Sequence, residues 1–299
     1  MSKEKKRQQH YVWKRYLEGW SNGKHLFCLQ DKTKIFPNSP SKIAREGDFY
    51  RLEELTNEDV LILREYIGKC NPKIQQAQTK LLDEIITIFH TRSLYEHFNM
   101  STNETDTEFD IVFNNFIEDE HWHYENGFAP YLYKMRDGCF SFLYEEHSEG
   151  RMLLKNFIAF QSFRTRAAAL RFLNNAKEVF DPDAVNRLWR VFAHLASYGV
   201  AFSHMGMKVS VVSNNTSTQF VTSDQPAINL CQEPDSYECY YPISPTYAII
   251  LYEGDTCSIG ENIDEFRAKE LNDKMVKSSY MQIYATSEAA LIPYKQERG

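Results

Sequence analysis

The chain has 299 residues, 42% of them hydrophobic and 14% aromatic, enough to fill a sizeable globular core. Its 34 basic and 41 acidic residues leave a net charge of −7, which excludes nucleic-acid binding driven by overall charge and leaves it to a local basic surface. No run approaches the ~18 apolar residues of a membrane-spanning helix, so no membrane partner is expected.

Six scattered cysteines without a CxxC pair read as reduced thiols, and the charged start MSKEKKRQQ has no apolar stretch behind it. Both point to a cytoplasmic protein. Residues 1–8 read as a flexible basic N-terminus, and 9–299 as a single α+β domain. Within that domain, 9–56 is a mixed N-terminal piece, 57–205 a helical region, and 206–299 a β-rich region with a closing helix. The expected architecture is a helical middle packed with a mainly antiparallel C-terminal sheet.

Taken in order, Val12, Trp13, Tyr16, Leu17 and Trp20 recur at helical steps over His10–Trp20. His25–Leu29 reads as a strand with Ile35-Phe36 as its partner. Asp48–Tyr50 is a second extended piece. Val60 to Ile67 and Ile74 to Phe89 mark two helices, and the polar run Asn99–Thr107 reads as a mobile loop before a helix over Glu108–Glu118. Asp137-Gly138 predicts a hairpin between Leu132–Lys134 and Cys139–Tyr144. Met152–Leu173 and Ala184–Phe202 are the strongest helices, the second announced by Asp181-Pro182. Strands follow at Lys208–Ser213, Gln219–Thr222, Cys239–Ile243 and Tyr247–Leu251, then a helix over Phe266–Ala285.

Phe220–Pro226, FVTSDQP, sets Ser223 and Asp224 where a short strand meets a turn, a place that presents functional groups at a sheet rim and equally one where such side chains bond the turn backbone. Gln161 and Arg164, three apart on a helix, share a face, and a buried Arg164 needs a carboxylate, for which Asp224 is the expected partner. His10 suits a general acid or base if it faces Asp224. Asn272 reads by default as a solvated or helix-bonding residue. In the run Glu118–Glu125, His121 and His123 would share a strand face and are weak metal candidates; otherwise the run is a polar surface. No cofactor is dictated by the sequence, and a divalent metal stays open.

QHYVWKRYL at Gln9–Leu17, FQSFRTR at Phe160–Arg166, FVTSDQP, YPISP at Tyr241–Pro245 and the helix bearing Asn272 together resemble a bacterial and fungal family, the domain of unknown function DUF4238. The resemblance spans about Gln8 to Thr286 and names no reaction. It implies that His10, Arg164, Ser223, Asp224 and Asn272 converge on one cleft as catalytic residues, with Tyr11, Arg15 and Gln161 as binding residues. A His, an Arg and a carboxylate suit phosphodiester or nucleotide chemistry, as in an RNase-like effector of a bacterial defence or toxin system, with nucleic acid or a nucleotide as partner and a protein as regulator. The alternatives are a non-catalytic ligand- or partner-binding module, and an ion-pair network that only joins the helical and β parts.

Overall fold

The chain opens with β1 (Gln8–His10), a single turn α1 (Lys14–Leu17), β2 (Leu26–Gln30), β3 (Lys34–Asn38) and β4 (Arg45–Gly47). These come from a computed structural model, which describes residues 4–296 apart from 146, 232, 234, 235, 256, 258, 260 and 261. Residues 1–3 of the N-terminal stretch lie outside the described residues. The rest of that stretch is tied down: Lys5 pairs with Asp110 at 3.0 Å and Lys6 with Asp119 at 2.7 Å, while the Lys6 N–H donates to Asn115.

The helical middle follows as α2 (Asn57–Lys69), α3 (Pro72–His97), α4 (Asn103–Arg136), α5 (Glu149–Phe163), α6 (Arg166–Ala176) and α7 (Pro182–Gly206). Several starts have a local cause. Thr56 and Asp59 form a reciprocal capping box on α2, and Asp181 with Pro182 opens α7. Thr102 and Thr105 do the same for α4, so the expected loop Asn99–Thr107 is largely the first turn of a 34-residue helix.

The expected hairpin is absent as well. Leu132–Lys134 belongs to α4, Asp137 is its C-cap, and Gly138 takes a positive φ of 79° just beyond, so the turn dipeptide ends a helix. Met152–Leu173 is not one helix. Thr165 is extended and caps α6 by accepting the Ala168 N–H at 3.2 Å, which divides the stretch into α5 and α6.

The β-rich piece comprises β5 (Lys208–Ser213), β6 (Thr222–Ser223), β7 (Ile228–Asn229), β8 (Glu238–Pro242), β9 (Tyr247–Tyr252), then α8 (Glu265–Ser278) and β10 (Gln282–Ala285). The expected closing helix therefore stops at Ser278, and its last residues form a strand. Two antiparallel four-stranded sheets result, ordered β3-β2-β10-β6 and β5-β9-β8-β7, beside the small pair β1-β4. This is an α+β protein.

The N-terminal segment runs through the middle of it. Tyr16 is fully buried and donates its hydroxyl to the Pro242 carbonyl at 2.8 Å, and the indole of Trp20 donates to the Phe220 carbonyl at 2.8 Å. One continuous apolar core takes in Trp13 and Tyr16, helices α2–α7, and Tyr241 and Tyr284 of the sheets.

Candidate functional site

Gln161 and Arg164 do share a face at the end of α5, and both spend it on the N-terminal segment. The Gln161 amide donates to the Tyr11 carbonyl at 3.0 Å, and an Arg164 nitrogen donates to the His10 carbonyl at 2.5 Å. The carboxylate that balances Arg164 is Glu125 of α4, at 2.6 Å, and not Asp224; the Tyr50 hydroxyl closes the ring by donating to the Arg164 carbonyl at 2.8 Å. The His10 imidazole is driven down to about 4 by burial first and by the charge of Arg164 second, so it is neutral at pH 7. Arg15 is exposed, and its carbonyl accepts a bond from Arg136.

Ser223, Asp224 and Asn272 form a second network. Asp224 is buried, and its two oxygens accept the N–H groups of Tyr280, Met281 and Gln282 at 2.7–2.9 Å. Burial raises its pKa and these donors oppose the rise. Ser223 is fully buried; its hydroxyl bonds the Gln225 carbonyl at 3.0 Å and accepts the Gln225 N–H at 3.1 Å. Asn272 is not solvated. From α8 it accepts the Val221 N–H at 3.0 Å and donates to the Gln219 carbonyl at 2.9 Å, pairing like a strand residue with backbone that has no strand on that side.

No hydrogen bond joins His10 to Asp224 among the described residues. The two networks touch through Gln225, whose side chain accepts from the Thr165 hydroxyl and donates to the Ser162 carbonyl at 3.5 Å, and through the Asp224 charge, which adds to burial in raising the Tyr11 phenol.

His121 and His123 lie on α4, where a two-residue step separates side chains by about 200°. His121 is buried and His123 exposed, so they share no face. Among the described residues no cluster of His, Cys, Asp and Glu is arranged to hold a metal. His121 belongs instead to a buried cluster around Arg164. Its Nδ1 lies 3.9 Å from Glu118, and its ring 5.7 Å from that of His194. Burial, opposed by Arg164, raises Glu118 to about 8, and burial lowers His194 to about 3. Burial also raises Glu125, and its ion pair with Arg164 opposes the rise.

A cavity of about 640 Å³ opens between α5–α7 and the β7–β9 edge of the sheet. Phe163, Phe172, Trp189, Phe192 and Ile228 give it apolar walls. Gln225 reaches the wall from the TSDQP turn, its amide donating to the Ala227 carbonyl at 3.2 Å. His204 and Tyr237 contribute a polar pair. His204 Nδ1 faces the Lys155 carbonyl at 3.2 Å, which can only accept, so Nδ1 carries the proton. Nε2 then accepts from the Tyr237 hydroxyl at 3.3 Å, and burial lowers the imidazole pKa and keeps it neutral. Lys155 holds the end of α7 from the same side, its ammonium donating to the Met205 and Met207 carbonyls at 2.9 and 2.6 Å.

The family described as Protein of unknown function (DUF4238) matches residues 8–289. The chain belongs to it. No curated protein and no solved structure matches. Within the span of the DUF4238 match, the sequence reading singled out Arg164 and Asp224 and passed over the residues that surround the cavity. Arg171 and Asn175, four apart on α6, carried a helical-spacing signal. His204 sits at the end of a strong helix and Tyr237 in irregular chain, and no local pattern ties one to the other.

Proposed function

We propose that this DUF4238 protein is a ligand-binding module, and that a small, largely apolar molecule occupies the cavity between α5–α7 and the C-terminal sheet. The observation that carries the reading is the junction of two motif turns. FQSFRT supplies Ser162 and Phe163 to the cavity wall, TSDQP supplies Gln225, and Thr165 bonds one turn to the other. The volume falls inside the roughly 300–1,000 Å³ of small-molecule sites, which combine apolar walls with a few fixed polar groups. Six free thiols suit a cytoplasmic setting, and a protein regulator would act on the loops that frame the cavity.

A second reading, nuclease-like action on RNA, phosphodiesters or nucleotides in a defence or toxin system, draws support from the aromatic walls and from Arg171 at the cavity, which suit a base and a phosphate. The test is one preparation measured two ways. Native mass spectrometry reads any retained small molecule and its release on denaturation. Labelled tRNA, mixed RNA, DNA and nucleotides, with and without Mg²⁺ or Mn²⁺, read turnover. The expected result is a bound molecule or a saturable thermal shift without turnover. Cleavage lost in a folded Ala168→Trp variant, which fills the cavity, overturns the binding-module reading in favour of the second.

A further inference from the structure

We infer that the cavity selects an amphipathic anion, an apolar body bearing a single oxyacid group, and that Arg171 of α6 holds the acid. This rests on the cavity being a ligand site.

The inference follows from which polar groups at the cavity are already engaged. His204 is bonded through both ring nitrogens, to Lys155 and Tyr237. Gln225 is bonded to Thr165 and Ala227, and the Asn229 oxygen accepts the N–H groups of Cys231 and Glu238. Ser162 and Ser203 bond the carbonyls four residues back in their own helices. On the helical side what remains is Arg171 and, one helical turn on, Asn175: among the described residues neither has a hydrogen-bond or ion-pair partner, and on the sheet side the Asn229 amide nitrogen and Glu253 are likewise unengaged. The nearby arginines contrast with this. Arg164 pairs with Glu125, Arg166 with Glu46, Arg187 with Asp59 and Arg190 with Glu53.

Arg171 is an exposed side chain at the cavity, and partial burial lowers its pKa. A cation with no counterion among the described residues is free to take a bound oxyanion, which a guanidinium can meet with two parallel N–H bonds. Asn175 adds an amide donor on the same helix face. His204, being neutral, adds no charge. Glu253, the cavity's carboxylate, lies past the end of β9 and makes no ion pair with Arg171. It repels an anion from the sheet side and so directs the acid towards α6.

Two fluorescent probes with one skeleton separate body from charge: anilinonaphthalene sulfonate, an anion, and the neutral phenylnaphthylamine. Each is titrated into the full chain, with melting curves checking every variant. Both are expected to bind saturably at one per chain and to be blocked by Ala168→Trp. Arg171→Gln weakens the sulfonate about tenfold and leaves the neutral probe within about twofold, the size of one charge-assisted hydrogen-bond pair. Arg171→Lys falls between, and Glu253→Gln does not weaken the sulfonate. If Arg171→Gln affects both probes equally or neither, or if Glu253→Gln is the weaker binder, the anion assignment is overturned while the cavity stands. If neither probe saturates, or both ignore Ala168→Trp, the ligand-site reading falls first. With binding established, fatty carboxylates and aromatic phosphate esters as competitors separate the two sources of the acid.

Discussion

At Asp224 two carboxylate oxygens receive three consecutive backbone N–H groups, those of the turn between α8 and β10. Removing the carboxylate leaves those partly buried donors without their acceptor, so Asp224→Ala is expected to cost about 2–3 kcal/mol, read as a shift of the urea midpoint. Arg164 gives a second test at the same scale. It is buried against Glu125, so Arg164→Met alone strands the carboxylate and costs about 3–5 kcal/mol, whereas Arg164→Met with Glu125→Met recovers much of that loss. A double-mutant cycle in denaturant measures the recovery; equal losses in the single and double variants would show that the pair is not the reason Arg164 is there. Arg164 stood out in the sequence as a polar group on a largely apolar helix, and Asp224 by its place where a short strand meets a turn. Their partners did not, because the partners are mostly backbone atoms of distant segments, and a backbone carbonyl has no letter in a sequence.

Between α5 and α6 a single threonine decides where one helix ends and the next begins. Thr165→Val removes the cap of α6 and the bond to Gln225, an expected loss of about 1–2 kcal/mol, with the cavity wall loosened on both sides. Amide exchange localised to residues 165–172 and 222–228 would read it. The same position explains how much of the fold was legible. The 3.6-residue pattern of Leu188, Val191, Leu195 and their neighbours reports α7 directly, as short runs rich in β-branched residues report β5 and β9. Periodicity does not see a cap in mid-pattern, so α5 and α6 read as one. Asp137-Gly138 fits a hairpin turn and a helix end equally, and only the length of α4 separates the two. Ile283-Tyr284 continues the apolar spacing of α8, and it is pairing with β2, some 250 residues earlier, that makes it a strand. The cavity was the least legible part, since it is built from α5, α6, α7 and two loops that no spacing links.

Across the molecule the titrating groups set opposed pH limbs. His10, at about 4, and His194, at about 3, are lowered by burial, so the unfolded chain binds their protons first. Their contribution is complete above the unfolded value near 6.5 and is lost towards pH 4, at about 1.4 kcal/mol per pH unit for each group. Glu118 is raised to about 8, chiefly by burial, so its protonated form favours folding. That contribution is complete below the unfolded value and drains as pH rises through 8. Stability is therefore expected to peak near pH 6.5 and to fall by up to about 2 kcal/mol by pH 8. Glu118→Gln should make the alkaline limb shallower and leave the acid limb alone, since burial also raises Asp224, Glu125 and Glu120; chemical denaturation at half-unit pH steps checks both.

β10 is nearly the last described element, yet it lies between β2 and β6 and joins them. While the protein is being synthesised, the hairpin of β2 and β3 emerges early and waits for a neighbour made some 250 residues later. At translation speeds of about 5–20 residues per second that wait lasts on the order of ten seconds or longer. Throughout it Leu29 and Cys28, fully buried in the finished protein, sit on an open strand edge. A chain stalled or cleaved before Gln282 lacks the strand that pairs with both β2 and β6, so the sheet stays open between them.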